Sequence, residues 1–198
     1  MSWELDFLHF LNDYFVNDFA SAFFGLFTIL GDMGIIWIVI GIMLTIDKKY
    51  RKAGILCILS VLLVSGLTND LIIKPLVARP RPYALDPTLT YPLNFFLEDG
   101  TSLLGIGELP GANSFASGHT CSSFAAATAI FIFNKKFGIA AYVVASLIAF
   151  SRLYFQVHYP TDVIAGLLLG VLGTIALYYL GKLIINLYNK KIRKTSKS

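Results

Sequence analysis

The sequence predicts an all-α, polytopic transmembrane helical bundle, with five spans or six. Three observations carry this reading. Hydrophobic residues make up 56% of the 198-residue chain and charged residues only 14%, where a water-soluble domain carries roughly 25% charged residues. Mean hydropathy is +0.69. Apolar stretches long enough to cross a bilayer recur along the chain, and basic clusters sit at alternate ends of them. The length suits one membrane-embedded domain over residues 1–198. Two cysteines are too few for a disulfide framework or a cysteine-based zinc site. The net charge of +4 invites a nucleic-acid reading. The basic residues instead flank apolar stretches, which is the pattern of membrane topology, and nucleic acid is excluded as a partner.

Residues 1–18 read as an amphipathic surface segment, with Trp3, Leu5, Phe7, Leu8 and Leu11 set among acidic residues. They lack a basic n-region and do not read as a cleavable secretion signal. Residues 19–46 are apolar but interrupted by Gly31-Asp32-Met33-Gly34. Two glycines and a carboxylate are tolerated in hydrocarbon only where protein or water surrounds them. The stretch therefore reads as one broken span ending in residues 35–46; two separate passes would give six spans. Residues 53–73, 118–133, 137–154 and 163–187 are the other spans, near the ~20 residues a bilayer requires. The long loop 83–113, rich in proline and glycine, is expected to cover the outer mouth. Residues 188–198 form a basic cytoplasmic tail that suits anionic lipid.

Charge placement orients the bundle. Lys48, Lys49, Arg51 and Lys52 follow the first span, Lys135 and Lys136 separate the third and fourth, and Lys190, Lys191, Arg193, Lys194 and Lys197 end the chain. The positive-inside rule assigns all three clusters to the cytoplasmic face. With five spans the N-terminus lies outside and the C-terminus inside. Four basic residues then remain on the outer side, Lys74, Arg79, Arg81 and Arg152, all at span ends. They suggest an anion site at the outer surface.

Three sequence blocks converge on that face. They are Lys74-Pro-Leu-Val-Ala-Arg-Pro-Arg81-Pro82, Ser114-Phe-Ala-Ser117-Gly118-His119, and Ser151-Arg152-Leu-Tyr-Phe-Gln-Val-His158-Tyr-Pro-Thr-Asp162. Their inventory fits phosphoryl transfer without a metal. Lys74, Arg81 and Arg152 can neutralise a phosphate's oxygens, arginine in bidentate fashion. Ser117 and Gly118 open an apolar helix whose free N–H groups attract anions. One histidine can attack phosphorus while the other protonates the leaving oxygen. Asp162 can fix a histidine tautomer. Pro160 between His158 and Asp162 predicts a turn running into the last helix.

The pattern Lys-x6-Arg-Pro, Ser-Gly-His, Ser-Arg-x5-His-x3-Asp resembles the type 2 phosphatidic acid phosphatase superfamily. All three blocks occur in order across residues 74–162. The resemblance implies a catalytic core similar to that of the vanadium haloperoxidases. It implies His158 as the nucleophile forming a phosphohistidine, Asp162 as its orienting group and His119 as the general acid. Lys74, Arg81, Ser117, Gly118 and Arg152 would bind the phosphoryl group. It implies no catalytic divalent metal and no cofactor. One departure stands out: the family commonly has proline where this chain has Ala116.

The expected substrate is a membrane lipid phosphate. The compact length and outward site resemble bacterial members acting on undecaprenyl pyrophosphate, with phosphatidylglycerophosphate and phosphatidic acid as alternatives. A lipid phosphotransferase would use the same residues, and a lipid transporter would have no need of two histidines and an aspartate. Nothing in the sequence specifies an oligomeric state. Asp70 is expected to pair with Lys74 one turn away, and His9 to be interfacial. Arg79 is expected at the phosphate rim or in solvent. Gly166 and Gly170 read as close helix packing, and Cys57 and Cys121 as small packing residues at different depths.

Overall fold

The computed structural model describes residues 2–86, 88–89 and 113–195. Most of loop 83–113, expected at the outer mouth, therefore lies outside the described residues. The described residues are almost all helical. Helix α1 spans Ser2–Phe15 and α2 spans Asp18–Leu30. A 3₁₀ turn, Asp32–Gly34, leads into α3, Ile35–Ile46. Helix α4, Arg51–Ser60, continues through a π-helical stretch, Val61–Ile73, into α5, Lys74–Val77. After the short α6, Pro82–Leu85, come α7, Gly118–Phe133, α8, Lys135–Tyr154, and α9, Pro160–Thr195.

Three of these segments are long and apolar enough to cross a membrane, namely Arg51–Val77, Lys135–Tyr154 and most of α9. The pair α2–α3 makes a fourth, bent by 42°. The break falls where the glycines predict it. Met33 and Gly34 take φ of 45° and 69°, a left-handed pair that ends the helical ladder. Only glycine fits at position 34, since a Cβ there would lie 2.9 Å from Val61 Cγ1.

Helix α7 has 16 residues and is the shortest of the apolar helices that the sequence marked as spans. Every residue from 120 to 130 is buried. The reason is compositional: serine, threonine and alanine line much of it, and small side chains let neighbouring backbones approach closely. Gly166 and Gly170 of α9 fit against it, where a Cβ would come within 2.6 Å of the Ser117 and Cys121 carbonyl oxygens. Cys57 and Cys121 are buried free thiols. Large apolar side chains such as Leu62, Leu71, Leu172 and Ile184 face outward, as lipid-facing residues do.

The basic clusters at 48–52 and 135–136 meet at one end of the bundle. Tyr50, just before α4, packs its ring 5.6 Å from that of Phe137, just after the Lys135–Lys136 pair. Asn134 alone separates α7 from α8, and its side chain caps α8 by accepting from the Phe137 N–H. The three chemical blocks lie at the other end of the same helices. Helix α9 runs unbroken to Thr195, so the helix continues through most of what reads in sequence as a tail.

Helix α1 is more than a surface segment. Leu8 and Leu11 are buried, Leu8 in a cluster with Leu89 and Tyr159. Trp3, Phe10 and Tyr14 remain exposed on its other face. Glu4 is buried too, and its partners are in the site.

Candidate active site

A cleft of about 290 Å³ opens where the three blocks meet, lined by Lys74, Arg81, Gly118, His119, Arg152 and His158. Six of the eight residues singled out in the sequence thus share one cavity. Helix α5 brings Lys74, the start of α7 brings Gly118 and His119, and the last turn of α8 brings Arg152. His158 stands in the turn between α8 and α9, and Asp162 lies in the first turn of α9.

Ser117 sits beneath the cleft rather than on its wall. It is fully buried and caps α7, its hydroxyl oxygen lying 3.0 Å from Thr120 Oγ1 and accepting from the Thr120 N–H. Its own backbone N–H donates to the Asp162 carbonyl at 3.0 Å. This bond ties the Ser-Gly-His turn to the His-x3-Asp turn. Ser117 builds the frame, while the following amides open α7 toward the cleft.

His158 is 1% exposed and Asp162 0%. His158 Nδ1 faces Asp162 Oδ2 at 3.6 Å, beyond the length of a formed hydrogen bond. On the other side of the ring, Nε2 lies 3.3 Å from Arg81 Nη1. A guanidinium only donates, so a hydrogen bond here requires the Nε2 lone pair, with the ring proton on Nδ1. That is the tautomer a nucleophilic Nε2 requires. Arg81 is itself anchored, donating to the Val157 carbonyl at 2.6 Å. Arg152 is held by Thr28 Oγ1 of α2. Burial first, then the charges of Arg81, Arg152 and Lys74, push the His158 imidazole well below its ordinary pKa.

Residues that the sequence did not single out for the site complete it. Asp32, in the break of the α2–α3 pair, lines the cleft with its Oδ1 3.8 Å from His119 Nε2. The break also lets the backbone approach, since a Cβ on Gly31 would sit 2.9 Å from His119 Cδ2. An acidic residue between glycines inside an apolar stretch was the available signal. Asp70 pairs with Lys74 at 2.8 Å, as expected from the i,i+4 spacing. It lies so close to Gly118 that a Cβ there would be 2.9 Å from its Oδ1. His9 pairs with Asp86 at 2.9 Å.

Arg79 corrects the expectation of a rim or solvent position. It is only 14% exposed and donates to Asp162 Oδ1 and to Glu4 Oε2, both at 2.6 Å. With both ends of its fork engaged by carboxylates, it stands behind the His158–Asp162 turn and not on the cleft wall. No local spacing links these three residues, so the contact leaves no sign in the sequence.

Residues 54–185 match the PAP2 superfamily. The chain belongs to that superfamily. This PAP2 chain is 33% identical over 137 residues to an undecaprenyl-diphosphatase of Sulfolobus acidocaldarius, covering 68% of this chain and 58% of that one. It is 45% identical over 67 residues to the bacitracin transport permease protein BcrC of Bacillus licheniformis, covering 34% and 33%. It therefore spans less than two thirds of either relative. Among solved structures, the fold is similar to a transmembrane PAP2-type phosphatidylglycerolphosphate phosphatase from Bacillus subtilis, with a TM-score of 0.64, 22% identity and coverage of 92% and 86%. Apolar spans and membrane relatives together make this PAP2 chain a membrane protein.

Proposed function

We propose that this chain is a metal-independent lipid phosphatase that removes the terminal phosphate of undecaprenyl pyrophosphate at the extracytoplasmic face. The observation that carries the reading is the His158 geometry: a buried imidazole set between Asp162 and Arg81 at a cleft lined by three cations. The undecaprenyl-diphosphatase relative supports the choice of lipid.

In this mechanism Lys74, Arg81 and Arg152 neutralise the phosphoryl oxygens as negative charge builds in the transition state. The amides opening α7 add partial positive charge. His158 Nε2 attacks the terminal phosphorus, an N–P bond forms, and the bridging P–O bond breaks. His119 gives its proton to the departing lipid phosphate oxygen. Water then attacks the phosphohistidine while His119 takes back a proton, releasing inorganic phosphate and free His158. Asp162 Oδ2, 3.6 Å from Nδ1, stabilises the positive charge that the ring gains.

The bundle crosses the membrane five times, with α2–α3 as one broken span and the short α7 as a full crossing. The whole chain forms a single membrane-embedded unit. The clustering of the basic segments at the far end supports an outward site.

The test is phosphate release from undecaprenyl pyrophosphate by purified protein in detergent. Activity should persist in EDTA, vanadate should inhibit, and His158→Ala should release no phosphate while eluting as folded protein. Turnover by that variant would overturn the covalent mechanism. Loss of activity in EDTA with recovery on adding magnesium would overturn the metal-free one.

A further inference from the structure

We propose that Arg79 and Glu4 are positioning residues for the nucleophile, so that the N-terminal helix α1 forms part of the catalytic apparatus. The inference rests on the phosphohistidine reading and extends it to residues that carry no family signature. Glu4 lies outside the 54–185 segment that matches the superfamily.

The geometry is a closed ring behind the catalytic turn. Arg79 Nη1 donates to Asp162 Oδ1 at 2.6 Å and to Thr161 Oγ1 at 2.8 Å. Arg79 Nη2 donates to Glu4 Oε2 at 2.6 Å. The second Glu4 oxygen accepts from the Thr161 hydroxyl at 2.6 Å and from the Thr161 N–H at 3.4 Å. The guanidinium also stacks on Tyr159, 3.8 Å above the ring centroid. Its plane is thereby fixed as well as its charge.

The consequence for the nucleophile follows from which oxygen is taken. Arg79 occupies Oδ1 of Asp162, and the Tyr159 N–H holds Oδ2 at 2.9 Å. The carboxylate cannot rotate without breaking one of these bonds, so Oδ2 stays turned toward His158 Nδ1. Glu4, in turn, keeps Arg79 from swinging into the cleft, where a free guanidinium would find phosphate. A buried ion pair adds little net stability over apolar packing, so fixing geometry is the physical benefit the ring supplies. Leu8 of α1 packs with Tyr159, and that contact brings Glu4 into reach.

The test compares Arg79→Ala, Arg79→Lys, Glu4→Gln and the double variant Glu4→Gln/Arg79→Ala in the full chain, with His158→Ala as the inactive control. Losing a residue that orients a reactive group costs about 10- to 100-fold in activity. Arg79→Ala should lose kcat on that scale with KM within about twofold, and Arg79→Lys should recover part of the loss because it restores charge without the fork. Glu4→Gln should lower kcat less, and the double variant should lose clearly less than the two single losses combined, since Glu4 and Arg79 hold the same turn. A loss confined to KM would overturn the proposal and make Arg79 a substrate contact. Wild-type kcat in Arg79→Ala, or additive losses in the double variant, would also overturn it. If Arg79→Ala does not fold, the Lys and Gln variants decide by the same criteria. An active wild type with an inactive His158→Ala and unaffected ring variants would sink this inference alone. A wild type that hydrolyses no lipid phosphate would sink the functional reading and this inference with it.

Discussion

Burial, then the charges of Arg81, Arg152 and Lys74, hold His158 well below the ordinary imidazole pKa of 6.5. The sign of the consequence follows from linkage. Between the depressed folded value and about 6.5 the unfolded chain binds the proton more readily, so stability falls as pH drops through that window. The neutral His158 imidazole persists across the same window. We therefore expect kcat/KM to hold on descending past pH 6.5, with its acid limb centred lower, in a pH–rate series on the lipid substrate. An acid limb at or above 6.5 would mean that the cations do not act on the ring as the structure has them. At this scale the sequence was informative where chemistry follows a spacing. Lys74, Arg81, Gly118, His119, Arg152 and His158 all reach the cleft. It misplaced Arg79, whose partners lie 75 and 83 positions away.

Among the elements, α7 and α9 matter most, because one carries His119 and the other Asp162. Their approach depends on Gly166, where a Cβ would press to 2.6 Å from the Ser117 carbonyl. Gly166→Ala should push α9 off the Ser-Gly-His turn, cost about 1–3 kcal/mol as over-packing does, and lower turnover by separating the two halves of the site. Gly181→Ala is the control, since nothing lies within 4 Å of a Cβ there. Thermal unfolding in detergent, with turnover measured alongside, distinguishes them. Equal melting temperatures for the two variants would show that the helix contact is looser than described. The broken span was legible because glycines and a carboxylate inside an apolar run leave few physical options. The π-helical stretch over Val61–Ile73 was not. Its residues pattern like any apolar helix, and what sets it apart is tertiary: Ser65 donates to the Gly118 carbonyl at 3.3 Å and Asn69 to the Ala116 carbonyl at 3.2 Å. Both bonds tie this stretch to the Ser-Gly-His turn.

For the whole molecule, the basic segments gather at one end of the bundle and the cleft lies at the other. An outward site makes a direct prediction about accessibility. In a background with Cys57 and Cys121 replaced, Leu85→Cys should react with a membrane-impermeant thiol reagent on intact cells. Lys190→Cys should react only after permeabilisation, and the opposite pattern would invert the topology. The sequence by itself determined the class of molecule, the apolar segments, the charge bias at their ends and the three blocks of chemistry. Each of these is encoded locally, in apolar run length, in charge at span ends and in short fixed spacings. The tertiary structure alone decided which His158 nitrogen faces Asp162 and which faces Arg81, that Ser117 frames the site from below, and that Arg79 and Glu4 stand behind Asp162. These depend on side chains brought together from α1, α5, α7 and α9, and contacts made across a folded bundle leave no periodic trace in the chain.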